Sequence, residues 1–181
     1  MNDVEGPPAA AAADGPSRTP LRLREPRNMV SPRAIRYWTV RAAIGWLILA
    51  AAQVLLMVAL PDGATGLHFV ALGATVFVAA AHLAVMPQWR YRVHRWESTP
   101  HAVYTQAGWF SQQRRIAPIS RIQTVDSERG PLEQLFGLSN VTVTTASAAG
   151  PLKIHGLDRE TAQALVDHLA RAIEATRGDA T

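Results

Sequence analysis

The chain reads as a two-helix membrane hairpin followed by a small soluble α+β domain, on three observations. Residues 42–60 and 67–86 are two apolar runs, 19 and 20 residues long, that contain no Asp, Glu, Lys or Arg. Only the six residues PDGATG separate them. Beyond residue 89 the texture changes to short alternating segments with turns, closed by one amphipathic helical stretch.

At 1.5 Å of rise per residue each run reaches roughly 30 Å, the hydrocarbon thickness of a bilayer. The short connection makes the two helices antiparallel neighbours. Arg18, Arg22, Arg24, Arg27, Arg33, Arg36 and Arg41 precede the first span, and Arg90, Arg92 and Arg95 follow the second, whereas the connection carries only Asp62. Positive residues stay on the cytoplasmic side, so both termini are expected in the cytoplasm of a multi-pass plasma-membrane protein. Trp38 and Trp89 flank the spans on that side, at the depth where amphipathic rings settle. A cleavable signal peptide does not fit an apolar run that starts beyond residue 40 and is followed by a second span.

Residues 1–37 form an Ala-, Pro- and Arg-rich segment with AAAAA at 9–13, expected to be a disordered cytoplasmic tail. The hairpin is assigned to 38–88, the soluble domain to 89–176, and a disordered end to 177–181. The chain has no cysteine, which excludes disulfides, thiolate chemistry and Cys-based zinc sites. Residues 90–181 carry 11 basic and 9 acidic side chains, so the net charge of +4 reflects the membrane-flanking arginines. Nucleic-acid binding is therefore not expected.

In the soluble part, residues 91–95 read as a strand and ESTP as a turn. Residues 102–106 follow as a strand, with Gly108 at a turn position that favours positive φ. A third strand is expected over 109–116 and a fourth over 121–127, with Ile122 and Thr124 on one face and Gln123 and Val125 on the other. Gly130-Pro131 opens a short helix, PLEQLF, capped by Gly137, with Leu132, Leu135 and Phe136 plugging the end of the sheet. Strands over 140–146 and 152–155 present Val141, Val143, Leu152 and Ile154 inward. Asp158 is the expected N-cap of a last helix, with Leu157 stapled to Ala162 and a stripe of Leu165, Val166, Leu169, Ala172 and Ile173. Strands followed by one such helix suggest a curved sheet or partly open barrel with a helix over one end.

The segments YRVHRWES, HAVYTQAGWFSQQRRIAPISRIQTVDSERGPLEQLFGLSNVTV and PLKIHGLDRETAQALVDHL resemble the bacterial two-span membrane proteins with a C-terminal PH-like domain. The resemblance covers about three quarters of the chain and departs from the pattern at Ala117-Pro118. It implies a split β-barrel with a C-terminal capping helix, displayed on the cytoplasmic membrane face. Relatives that bind inositol phosphates use a basic cluster at the first hairpin; here that turn is the acidic, lysine-free ESTP, so an inositol phosphate ligand is not expected.

Candidate chemistry is sparse. No cofactor, metal or catalytic constellation is expected, and the protein is read as not an enzyme. His94 and His101 could face each other across the first hairpin, as cross-strand packing. His68 and His82 fall near the span ends. Gln53 lies level with Thr75, close enough to hydrogen-bond across the hairpin. Ala71, Thr75 and Ala79 line the second helix as small residues. Arg114, Arg115 and Arg121 form the main charge cluster of the domain. They could contact lipid phosphates or an acidic partner, or they could line a solvated strand neutralised by Asp126, Glu128 and Glu133. The expected partners are the lipid bilayer and another membrane or cytoplasmic protein, including a second copy of the chain. The function expected is a membrane-anchored, non-enzymatic interaction or scaffold module; the alternative is a subunit of an oligomeric channel or transporter.

Overall fold

The computed structural model of the protein describes residues 25–59, 65–108, 111–147 and 150–178. Two long helices form the hairpin: α1 (Arg33–Ala59) and α2 (Thr65–Val93). Both contain a strongly apolar window long enough to cross a membrane. They meet along a seam in which less exposed positions recur every three or four residues: Ala43, Trp46, Ala50, Gln53 and Met57 on α1, and His68, Leu72, Thr75, Ala79, His82 and Met86 on α2. That spacing is the heptad spacing of left-handed helix pairs. The expected Gln53–Thr75 bond is present, Gln53 Nε2 donating to Thr75 Oγ1 at 2.9 Å. A second polar rung joins the helices where Trp46 Nε1 donates to His82 Nδ1 at 3.0 Å. Outward residues such as Leu47, Leu55, Val70 and Phe77 are exposed, as lipid-facing side chains must be.

Both helices overrun their apolar spans and enter the soluble domain. The expected tail boundary at residue 37 is therefore corrected. Residues 28–29 form a short strand, β1 (Asn28–Met29), and Val30, Ala34, Tyr37 and Trp38 belong to the domain core. The remainder of the tail, residues 1–24, lies outside the described residues, as do most of the connection (60–64) and residues 179–181. The strand expected over 91–95 is likewise corrected: α2 continues through Pro87 to Val93, and the chain turns extended only at β2 (Arg95–Ser98). The helix is carried past Pro87 because its last turns pack against α1 and the domain, which outweighs the local preference of YRV for a strand.

β2 continues into β3 (Ala102–Ala107) and β4 (Gln113–Pro118), giving an antiparallel sheet ordered β1-β2-β3-β4. Gly108 follows β3 at φ +119 as expected. The third strand starts later than residue 109; Trp109 and Phe110 lie outside the described residues. A 3-10 turn (Ile119–Arg121) leads to the second sheet, β5 (Ile122–Glu128), β6 (Leu138–Thr145) and β7 (Leu152–Asp158), in that order. A bulge between Ile122 and Thr124 shifts the register, so Ile122 and Val125 both turn inward and Thr124 is exposed. The strict alternation expected for this strand fails at that one residue. The two sheets are not closed into a barrel; β4 and β5 are joined by the 3-10 turn without pairing.

Between β5 and β6 lies α3 (Pro131–Leu135), with Pro131 in its first turn and Gly137 at φ +68 beyond its end. Leu132 and Phe136 pack on the core, but Leu135 is 78% exposed, so it does not plug the sheet. A five-residue helix presents only one side, and Leu135 falls on the other. The last helix, α4 (Arg159–Gly178), reaches past the boundary expected at 176. Its Ala162, Leu165 and Leu169 are buried against Leu138, Val141, Val143, Ile154 and Leu157.

One contact sets the angle at which the hairpin enters the domain. In β7 two residues, His155 and Gly156, stand opposite Asn140 alone, because Val141 pairs with Ile154 and Ser139 with Leu157. Gly156 adopts φ +76. Its amide donates to Asn140 Oδ1 at 3.1 Å, and its carbonyl accepts from the Ser31 amide at 2.8 Å. A Cβ at this position would lie 3.0 Å from the Ala34 methyl and 3.6 Å from Trp38 Cζ2. Glycine is thus required both by its backbone conformation and by the close approach of α1.

Candidate functional site

The expected arginine cluster is only partly assembled. β4 pairs with β3 so that Arg114 stands opposite Gln106 and Arg115 opposite Thr105. Both arginines line a cleft of about 320 Å³ between β4 and the β6–β7 end, together with Ala117, Thr145, Ser147 and Leu152. Arg114 Nη2 meets Glu25 Oε1 at 3.4 Å, and Arg115 Nη1 donates to the Pro151 carbonyl at 2.7 Å. Arg121 sits apart, in the 3-10 turn, where its carbonyl accepts from the Ala146 amide at 3.2 Å. The acid at Arg114 is Glu25, from the segment read as tail, rather than Asp126, Glu128 or Glu133. Asp126 accepts from Thr124 Oγ1, and Glu133 is engaged elsewhere.

The histidines do not pair as expected. Arg95 is in register with Gln106 and Ser98 with Val103, so His94 and His101 stand at opposite ends of the β2–β3 hairpin. His94 instead stacks on Trp38, ring centroids 5.2 Å apart, and its Nδ1–H donates to the Arg90 carbonyl at 2.7 Å. Burial pushes its pKa down to about 4, and the Arg90 and His155 charges act in the same direction. His155 is also lowered, by burial first and then by Arg90. Both imidazoles are therefore neutral at pH 7.

A second constellation, which the sequence did not single out, lies where the hairpin meets the domain. Tyr37 on α1 donates its hydroxyl to Glu133 Oε1 at 2.7 Å, and Arg41 Nη1 donates to the same hydroxyl at 3.0 Å. Asn140 Nδ2 reaches Glu133 Oε1 at 3.4 Å. Hydrogen bonding from Tyr37 holds the Glu133 carboxyl below its ordinary range, and burial raises Tyr37. The Tyr37 ring packs edge-on against Phe136. Trp38, expected at the membrane interface, is instead buried in the domain core, and the Arg90 guanidinium lies over its ring at 4.6 Å. Trp89, by contrast, is exposed. These partners are separated by up to 96 residues, so no local spacing could bring them together on paper. The one available signal was the position of Arg41 and Arg90 at the span ends, which reads equally well as a topology signal.

A larger cleft, of about 600 Å³, lies at the start of α4, lined by Ser31, Arg33, Gly137, Asp158 and Arg159. Asp158 accepts from Ser31 Oγ at 2.8 Å and lies 3.6 Å from Arg33 Nη1. This ties the start of α1 to the start of α4. Among the described residues no group of three or more potential metal ligands occurs.

The geometry agrees with the comparisons. The bacterial PH domain family model matches residues 40–173. The chain is similar to the UPF0699 transmembrane protein YdbS of Bacillus subtilis (strain 168), with 28% identity over 161 residues, covering 86% of this chain and 98% of the relative. No solved structure gives a significant match. The family match takes in both spans, strands β2 to β7 and most of α4, and leaves out β1 and the first turns of α1. Two apolar helices that could span a membrane, followed by sheets and a packed C-terminal helix, are what the match describes, and this chain belongs to the bacterial PH domain family.

Proposed function

We propose that the protein is a membrane-anchored, non-enzymatic interaction module that presents its PH-like domain on the cytoplasmic face of the plasma membrane. The observation that carries this reading is the fusion of hairpin and domain. β1 pairs with β2, Tyr37 and Trp38 enter the domain core, and α2 runs without a break from the membrane into the sheet. A domain held this way keeps one orientation to the bilayer, which suits it to docking another membrane or cytoplasmic protein, or a second copy of itself, at a fixed height. The cleft at Arg114 and Arg115, with Arg121 nearby in sequence, is the proposed contact for an acidic segment of that partner.

The test is crosslinking of the full chain in native membranes, with the Arg114→Ala/Arg115→Ala/Arg121→Ala variant alongside. A partner captured by the wild type and lost from the variant, with an unchanged melting temperature, supports the reading. Equal capture by both returns the arginines to a solvated strand. Ion flux through the reconstituted full chain would move the function into the hairpin. Orientation is tested separately, because the chain has no cysteine of its own. A cysteine at Ala64 should label with an impermeant reagent in intact cells, and one at Ser111 should not; the reverse pattern would place the domain outside.

A further inference from the structure

We propose that Arg41 and Arg90 together hold the phosphate of an anionic lipid headgroup at the base of the hairpin. The two guanidiniums converge on one turn of α1. Arg41 reaches back to the Tyr37 hydroxyl, and Arg90 comes across from α2 to lie over Trp38. The interhelical rungs at Trp46–His82 and Gln53–Thr75 set residues of α1 and α2 level when their numbers sum to 128, which puts Arg90 beside Trp38.

Arg90 lies at the depth of lipid phosphates, and Arg41, nearer the hydrocarbon, reaches back one turn towards that depth to meet the Tyr37 hydroxyl. Arg41 is the last residue before the first apolar run, and Arg90 stands four residues beyond the second. At 1.5 Å per residue Arg90 lies about 6 Å outside the hydrocarbon, within a headgroup layer about 5–7 Å thick on each side.

The local charge is unbalanced. Glu133 is the carboxylate of this cluster, and its Oε1 is already used by Tyr37 and Asn140. Among the described residues neither Arg41 nor Arg90 has a carboxylate within ion-pair distance. Arg90 is partly buried as well, and among the described residues its guanidinium lies over the Trp38 ring rather than against a carboxylate. The neighbouring His94 and His155, whose pKa values are lowered by burial, add no positive charge to the pair at pH 7.

A phosphate oxygen pair matches the guanidinium fork, and basic pockets between membrane helices bind anionic headgroups for this reason. Two arginines also disfavour a headgroup that carries its own cation, so phosphatidylglycerol should be preferred to phosphatidylcholine. This site is separate from the cleft at Arg114 and Arg115 and does not depend on the protein partner proposed above.

The experiment uses the full chain in nanodiscs of phosphatidylcholine with and without phosphatidylglycerol, read by melting temperature and by the number of lipids retained in native mass spectrometry. Phosphatidylglycerol should raise the wild-type melting temperature by about 4 °C or more and leave one lipid bound. The Arg41→Gln/Arg90→Gln variant should lose both responses. The Arg36→Gln/Arg92→Gln variant, which removes the same charge from the same ends of α1 and α2, should keep them. Arg41→Gln alone, whose described contact is a single hydroxyl, guards against loss of folding and should weaken lipid retention. Equal responses in wild type and the Arg41/Arg90 variant would overturn the site. A rise with inorganic phosphate in phosphatidylcholine discs, without any response to phosphatidylglycerol, would overturn the lipid assignment.

Discussion

Replacing Gly156 with alanine should loosen the joint between membrane hairpin and domain. Two costs add at this position. The first is conformational: φ is +76, where an L side chain costs about 1–2 kcal/mol. The second is steric: the new Cβ would sit 3.0 Å from the Ala34 methyl, and Ala34 has no exposed surface through which to retreat. Overpacking of this kind typically costs about 1–3 kcal/mol. The sum, about 2–5 kcal/mol, corresponds to a fall in melting temperature of about 10 °C or more for a domain of this size. The assay is thermal unfolding of the full chain in detergent or nanodiscs. A double-mutant cycle with Ala34→Gly separates the two costs. Ala34→Gly alone should cost about 1 kcal/mol or less, since it lies in the first helical turn, but in the Gly156→Ala background it should restore part of the lost stability. A neutral Gly156→Ala would refute the close approach of α1 to β7. A destabilised Gly156→Ala with strictly additive Ala34→Gly would leave only the backbone cost standing.

Leu169→Ala should cost about 2–5 kcal/mol, because Leu169 is fully buried between α4 and the sheet, whereas Arg171→Ala on the outer face should change the same melt by less than about 0.5 kcal/mol. In the hairpin, Gln53→Ala should weaken the helix pair by about 1 kcal/mol in steric-trapping or detergent unfolding, while the Gln53→Leu/Thr75→Val pair should be nearly neutral, because both polar partners leave together. Acid should destabilise the junction. The folded-state pKa of His94 is depressed to about 4 from an unfolded value of 6.5, so its contribution is fully present above pH 6.5 and is lost as pH falls towards 4. Melting temperatures taken between pH 7 and pH 4 should fall across that window, by the equivalent of up to about 3 kcal/mol, and the fall should be shallower in His94→Phe.

The elements that could be read from the sequence were those whose signal is local. Charge-free runs of span length gave the hairpin, and counting inward from their ends matched Gln53 with Thr75. Pro131 and Gly137 bracket α3 by their own backbone preferences, and the apolar stripe of α4 repeats at helical spacing. What was missed is held by distant residues. Residues 25–37 look like polar tail because their burial depends on partners near 96, 133 and 156: β1 on β2, Tyr37 with Glu133, and Ala34 against Gly156. Trp38 was read as an interfacial ring because its position beside a span fits that role, yet burial under Arg90 and beside His94 takes it into the core. The bulge after Ile122 broke an alternation that the sequence kept. Of the candidate site, the chemistry of Arg114 and Arg115 was visible in their adjacency, but the cleft they line, the remoteness of Arg121 and the part played by Glu25 depend on how two sheets meet.

The uninterrupted passage of α1 and α2 from the apolar spans into the sheets has a mechanical consequence. A helix pair whose apolar length exceeds the local bilayer thickness accommodates by tilting, and one that matches it stands upright. With both helices continuing into the domain core and Gly156 clasped against Ala34, a change of tilt is resisted at the membrane surface, Pro87 being the point of α2 where a backbone hydrogen bond is lost. The tilt is then expected to appear as a rotation of the whole domain, swinging the cleft at Arg114 and Arg115 towards or away from the headgroups. Bilayers of different thickness are therefore expected to hold the cleft at different heights above the headgroups.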